Sequence, residues 1–148
     1  LPTDETQIPL GESAPVAGTP MDFVNEKPVG QDIRADFEPL KIGAGYDHCW
    51  VIDGAEPGQL QFCCELHAPE SGRTLNIFTT QPGVQVYTGN WLEGCPEGKN
   101  GHVYNNNDGI AIECQNYPDG PNKADYPNCI LRPGEVFEQA IIYAFGIR

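Results

Sequence analysis

No stretch of ten or more residues in this chain keeps a 3.6-residue apolar period free of glycine and proline, and that removes most helical folds from consideration. What remains is a series of short runs rich in β-branched and aromatic residues: HCWVID, QLQFCCELHA, TLNIFTT, GVQVYTGNWL and GIAIECQNY. Each is bounded by Gly, Pro, Asp or Ser, and such runs read as strands. VFEQAIIYAFGI follows, with Val136, Glu138, Ala140 and Ile142 on one side and Phe137, Gln139 and Ile141 on the other, which predicts a terminal strand. The fold class is all-β. No fixed-period repeat is present, which disfavours a propeller or solenoid and leaves a sandwich of antiparallel sheets.

Before Tyr46 the texture differs. Pro2, Pro9, Pro15, Pro20, Pro28 and Pro39 punctuate the first forty residues, so residues 1–40 are expected to form an extended arm or lacing loop. Gly and Asn crowd the segment between Glu93 and Gly109, which predicts a long loop. A length of 148 residues is the size of one domain.

Twenty-one acidic residues against eight Lys and Arg give a net charge of −13, scattered rather than gathered in a tail. That field repels phosphate backbones and anionic head groups, so neither nucleic acid nor a membrane surface is an expected partner. No run approaches the ~18 apolar residues of a membrane span. The opening LPTDETQIPLGES has no basic segment followed by an apolar core and reads as internal to something longer.

Six cysteines, Cys49, Cys63, Cys64, Cys95, Cys114 and Cys129, include no CxxC pair, so zinc-knuckle spacing is missing and no metal site is expected. Buried free thiols are the favoured state, with a secreted disulfide form as the alternative. The compartment is left open between cytoplasmic and secreted or periplasmic.

Three polar groups interrupt otherwise apolar strand runs: Asp47, Gln85 and Glu113. Carboxylates and an amide together match the donors and acceptors of sugar hydroxyls, and a carboxylate within reach of a hydroxyl can act as a general base. Trp50 and Trp91 offer apolar faces for a sugar ring, although a strand tryptophan is more often core, and that is the expectation here.

LPTDETQIP, PVAGTPMDF, GYDH, SGRTLNIFTTQPGVQVYTGNWL, GIAIECQNYPDGPN, YPNCILRPGE and IIYAF occur in this order across nearly the whole chain. In that order and spacing the chain resembles the C-terminal part of the aldose 1-epimerase (galactose mutarotase) family. The resemblance implies a mutarotase-type antiparallel β-sandwich of which residues 1–148 are the C-terminal portion of a single domain, needing the N-terminal portion to close.

It also implies roles. Asp47 of GYDH and Gln85 of TTQPGVQ are expected to bind sugar hydroxyls, and Glu113 is expected to be the catalytic base. The implied reaction interconverts the α and β anomers of a hexopyranose such as glucose or galactose, with no cofactor. The family's catalytic histidine, a second sugar-binding histidine and an arginine fall before Leu1, so the implied partner is a separate or missing N-terminal mutarotase chain.

His48, His67 and His102 are expected to be structural. Cys49 and Cys114 depart from the family pattern, and strand alternation is expected to turn Cys114 away from the site. Eight scattered basic residues argue against a phosphorylated hexose. The alternative function is a non-catalytic carbohydrate-binding or structural subunit of the same fold.

Overall fold

The computed structural model describes residues 1–148. Its elements are helix α1 (Glu38–Ile42) and strands β1 (Asp47–Val51), β2 (Gln61–Ala68), β3 (Arg73–Thr79), β4 (Gly83–Tyr87), β5 (Ala111–Gln115) and β6 (Ile141–Ile147), with short 3₁₀ turns in the loops. The strands form two three-stranded sheets, ordered β1-β4-β5 and β2-β3-β6. The second is antiparallel throughout. The all-β class expected from the short strand runs is therefore what the chain adopts. No helix is long and apolar enough to cross a membrane.

Two elements depart from expectation. Pro39 reads as a breaker, yet it stands in the first turn of α1, where its missing N–H costs no helical bond. The terminal strand begins only at Ile141, not at Val136. β6 pairs with β3 along its whole length, and β3 ends at Thr79 opposite Ile141; the Thr80 N–H still reaches the Ala140 carbonyl at 3.1 Å, but residues 136–139 have no strand to continue on. Val136 and Phe137 are accordingly exposed, at 87% and 59%.

The chain divides into two compact units, Leu1–Trp50 with Gln85–Glu113, and Val51–Val84 with Cys114–Arg148. In the first, the arm is tied down rather than loose. Asp4 Oδ1 accepts the N–H groups of Thr6 and Ile8, and Thr3 bridges Pro9. Farther along, the Tyr46 hydroxyl donates to the Pro20 carbonyl at 2.9 Å and the Trp50 indole N–H to that of Met21 at 3.0 Å. The Phe23 ring meets Tyr46 edge-on with centroids 5.2 Å apart, and these aromatic contacts with buried Leu40 make the unit's core.

In the second unit Ile77 and Thr79 of β3 are completely buried. β6 lies at the outer edge of β2-β3-β6 and carries large exposed apolar side chains, Phe145 and Ile147 each at 82%.

None of the six cysteines is in a disulfide. Burial, expected for all, holds for Cys49 and Cys114 alone; Cys63, Cys64 and Cys129 are half-buried and Cys95 is exposed. Trp91 corrects another expectation: it is 63% exposed and not core, because it follows the end of β4.

Candidate functional site

The site begins with a sharp turn. α1 ends at Ile42, the Gly43 N–H bonds back to the Pro39 carbonyl at 3.0 Å, and the Gly45 N–H to that of Leu40 at 2.9 Å. Ala44 and Gly45 take positive φ of 53° and 138°, and a side chain at Gly45 would collide with that of Asn90. Only glycine satisfies both conditions. The turn delivers the chain into β1 with Asp47 as its first residue.

Buried polar groups fix this entry. Asn90, 2% exposed, donates from Nδ2 to the Gly43 carbonyl at 2.7 Å and to the Tyr46 carbonyl at 2.9 Å. The Thr88 hydroxyl accepts the Tyr46 N–H at 3.1 Å and donates to Asn90 Oδ1 at 2.7 Å. Asn107 adds bonds to the Thr88 carbonyl and Asn90 Oδ1, and Arg34 grips Asn107 Oδ1 at 2.6 Å and the Ala44 carbonyl at 2.7 Å. Satisfied networks of this kind hold one geometry, since breaking any bond strands a buried polar atom.

β4 then sets Gln85 beside Asp47. The Thr88 N–H bonds to the Tyr46 carbonyl and the Ile52 N–H to the Pro82 carbonyl, both at 3.0 Å, so β1 and β4 run antiparallel with Gln85 opposite Cys49. Asp47 is the diagonal neighbour on the same face. Gln85 Nε2 donates to Asp47 Oδ1 at 2.8 Å, while Gln85 Oε1 is buried without a partner. The Asp47 backbone is held as well: its carbonyl accepts Gln7 Nε2 at 3.4 Å, and its N–H donates to His48 Nδ1 at 3.0 Å.

Glu113 stands on β5, the strand next to β4, with its side chain exposed and that of Cys114 buried. The alternation expected from the sequence is thus present, and Cys114 faces away from Glu113. The structure joins Asp47 to Gln85 directly and places Glu113 on the adjacent strand.

The histidines lie elsewhere. His48 is 5% exposed, its ring edge-on to Trp50. Burial, aided by the Leu1 ammonium and opposed by the Asp47 charge and the Pro39 backbone, pushes its imidazole below the ordinary 6.5. His102 is exposed and stacks edge-on with Tyr104 at 4.9 Å, and the His67 ring lies 2.8 Å from Arg148 Nη2. Burial, with Asp32 nearby, pushes the Tyr46 phenol up to about 12, which keeps it neutral. No group of three His, Cys, Asp or Glu side chains is arranged to hold a metal ion.

Sequence reading missed Arg34, Asn90 and Asn107. Asn90 carried the same signal as Gln85, a polar residue closing an apolar run. Arg34 and Asn107 sit in loops where polarity is ordinary and gives no signal.

Known proteins resemble this chain along nearly its whole length. The human galactose mutarotase is 42% identical over 147 residues, covering 99% of this chain and 41% of the relative. The aldose 1-epimerase of Escherichia coli (strain K12) is 33% identical, covering 98% of this chain and 42% of the relative. An aldose epimerase homologue from C. elegans superposes with a TM-score of 0.80 at 29% identity, over 99% of this chain and 42% of that one. Galactose 1-epimerase from Lactobacillus acidophilus superposes with a TM-score of 0.72 at 27% identity. This chain thus spans about two-fifths of the length of the curated relatives it matches. The sequence model of the aldose 1-epimerase family matches residues 1–144, and with the shared fold and these identities the chain belongs to that family.

Proposed function

We propose that this chain carries the general base and two sugar-binding groups of an aldose 1-epimerase acting on hexopyranoses such as glucose or galactose. The observation that carries the reading is the bond between Gln85 and Asp47. Because the amide donates inward, the valences left on the pair, Asp47 Oδ2 and the buried Gln85 Oε1, are both acceptors. Two acceptors on one bonded pair suit the donors that neighbouring hydroxyls of a pyranose offer.

The Glu113 carboxylate takes the proton of the C1 hydroxyl. As the C1 carbonyl forms, the bond from C1 to the ring oxygen breaks and that oxygen takes up a proton. Rotation about C1–C2 and the reverse steps on the other face give the second anomer. Only oxygen-bound protons move, so a positioned acid and base are sufficient.

The ring oxygen needs a proton donor, and the histidines of this chain do not fit that role. His48 is buried and held neutral, while His67 and His102 are engaged by Arg148 and Tyr104. The acid is therefore assigned to an N-terminal portion outside these 148 residues, a reading supported by the two-fifths share of the relatives. The same histidines favour a second reading, that this chain by itself binds sugar without turnover.

Polarimetry of freshly dissolved α-D-glucose and α-D-galactose separates the two. Acceleration by the completed polypeptide and none by this chain supports the proposal. Sugar binding with no acceleration in either setting leaves the binding module.

A further inference from the structure

β1 is an edge strand in the order β1-β4-β5. The Thr88 N–H bonds to the Tyr46 carbonyl and the Ile52 N–H to that of Pro82, so even-numbered residues here turn their backbone groups toward β4. Asp47 and Cys49 aim theirs the other way, at the open edge.

That edge is filled by the arm and by a side chain of β1 itself. The Cys49 carbonyl accepts from the Leu1 nitrogen at 2.8 Å, and the Asp47 carbonyl from Gln7 Nε2 at 3.4 Å. The Asp47 N–H donates to His48 Nδ1 at 3.0 Å. Gln7 is aimed by its own backbone, which takes a left-handed φ of 64° and closes a turn on the Asp4 carbonyl at 3.0 Å. A Cβ on Gly43 would lie 3.5 Å from both Gln7 Nε2 and His48 Cε1, so the two side chains meet over that glycine.

Side chains therefore do for Asp47 what a neighbouring strand would do, and one of them can change character. A neutral imidazole has one donor nitrogen and one acceptor. Because His48 Nδ1 accepts, the ring proton is on Nε2, and with 5% exposure the ring is packed in place. Protonation would put a second N–H on Nδ1, facing the Asp47 N–H, and the bond would become a repulsion.

We propose that His48 is a positioning residue for Asp47: its neutral Nε2–H tautomer holds the Asp47 backbone, with Gln7 on the carbonyl, and so aims the carboxylate at the sugar. This rests on the preceding reading of Asp47 as a sugar ligand. His48 acts through Asp47 and is assigned no contact with the sugar.

The charged groups facing the ring are the Asp47 carboxylate on its own strand and the Leu1 ammonium on the arm, while α1 contributes the Pro39 backbone. β4, Gly83–Tyr87, has no Asp, Glu, Lys, Arg or His. Burial dominates and keeps His48 neutral down to a pH below the ordinary 6.5. An N-terminal portion joined to Leu1 would turn the ammonium into a peptide N–H and leave burial and Asp47 in place. Sugar affinity is then constant above that range and falls as pH drops through it, by about tenfold per pH unit at most, since one proton is involved.

The test uses the completed polypeptide. Imidazole nitrogen NMR, with no sugar present, is expected to show an unprotonated Nδ1 and a protonated Nε2 on neutral His48; a proton on Nδ1 overturns the proposal. Calorimetry with D-galactose follows. His48→Asn sets an acceptor oxygen where Nδ1 stood but cannot be protonated, so affinity stays within about twofold of the wild type and the extra loss on the acid side disappears. His48→Phe keeps a ring and removes the acceptor, and Kd and KM rise about tenfold with kcat within about twofold. Gln7→Leu raises Kd by a smaller factor, about threefold.

Equal losses in the Asn and Phe variants, or a wild-type pH profile in His48→Asn, overturn the positioning role. So does a lowered urea midpoint with an unchanged KM in the folded enzyme. The nitrogen spectrum, His48→Asn and Gln7→Leu decide the matter even where His48→Phe does not fold. Asp47→Ala separates the two levels: unaltered affinity there sinks the sugar reading and the positioning role with it, whereas weakened affinity there beside an unaffected His48→Phe sinks the positioning role alone.

Discussion

Gln85 gives its side-chain amide to the Asp47 carboxylate across 2.8 Å and keeps its own carbonyl oxygen buried and unpaired. Asp47 dictates that orientation, since an ionised carboxylate only accepts and the NH₂ end must turn toward it. Gln85→Glu removes the donor and sets two carboxylates together. The sugar KM of the completed enzyme should rise about tenfold or more, because the amide donor is lost and two like charges repel. An unaltered KM would remove the pair from the sugar site.

Glu113→Gln keeps the size of the side chain and removes its basicity. In the completed enzyme kcat for anomer interconversion should fall by about 10²–10⁴-fold, while sugar affinity measured by calorimetry stays close to the wild type. Retained turnover would move the base to another residue.

Asn90→Ala leaves the Gly43 and Tyr46 carbonyls without their donor in a buried place. A loss of about 1–3 kcal/mol is expected for such orphaned groups, read as a lowered urea midpoint. Because the same bonds set the entry into β1, sugar affinity should weaken in the fraction that remains folded. Stability equal to the wild type would mean the network is dispensable.

His48 makes stability depend on pH, with a definite sign. Burial depresses its folded-state affinity for protons below the ordinary 6.5, so in mildly acidic solution the unfolded chain binds more protons than the folded one. The contribution is fully present above 6.5, declines as pH falls through it, and stops declining once the folded form is also protonated. Urea midpoints measured between about pH 8 and pH 5 should show this decline, and His48→Gln should flatten it. A slope identical in both proteins would assign the effect to other groups.

Much of the fold could be read from the residues because each strand announces itself locally. HCWVID, QLQFCCELHA and TLNIFTT contain most or all of β1, β2 and β3, since β-branched and aromatic side chains fit a pleated, half-buried surface. What failed depended on partners. Residues 136–140 alternate as well as any strand, but β3 ends at Thr79. Pro39 could be recognised as a helix start only by knowing what followed it.

The site divides in the same way. Asp47, Gln85 and Glu113 stood out one by one as polar residues in apolar runs. The bond between Asp47 and Gln85 is a product of register across residues 38 positions apart, which no local pattern encodes. A bulge in β2 at Cys63 is hidden for the same reason, as it exists only in the pairing of β2 with β3.

β6 has one hydrogen-bonded neighbour and an open outer edge flanked by Phe145 and Ile147. An open strand of this kind invites pairing with another copy, and here the opposing influence is the charge of −13 that each copy carries. That repulsion reaches only about 10 Å in 0.1 M salt and about 3 Å in 1 M. The isolated chain should therefore stay dispersed in dilute buffer and self-associate through β6 as salt is added, which light scattering across a salt series would check.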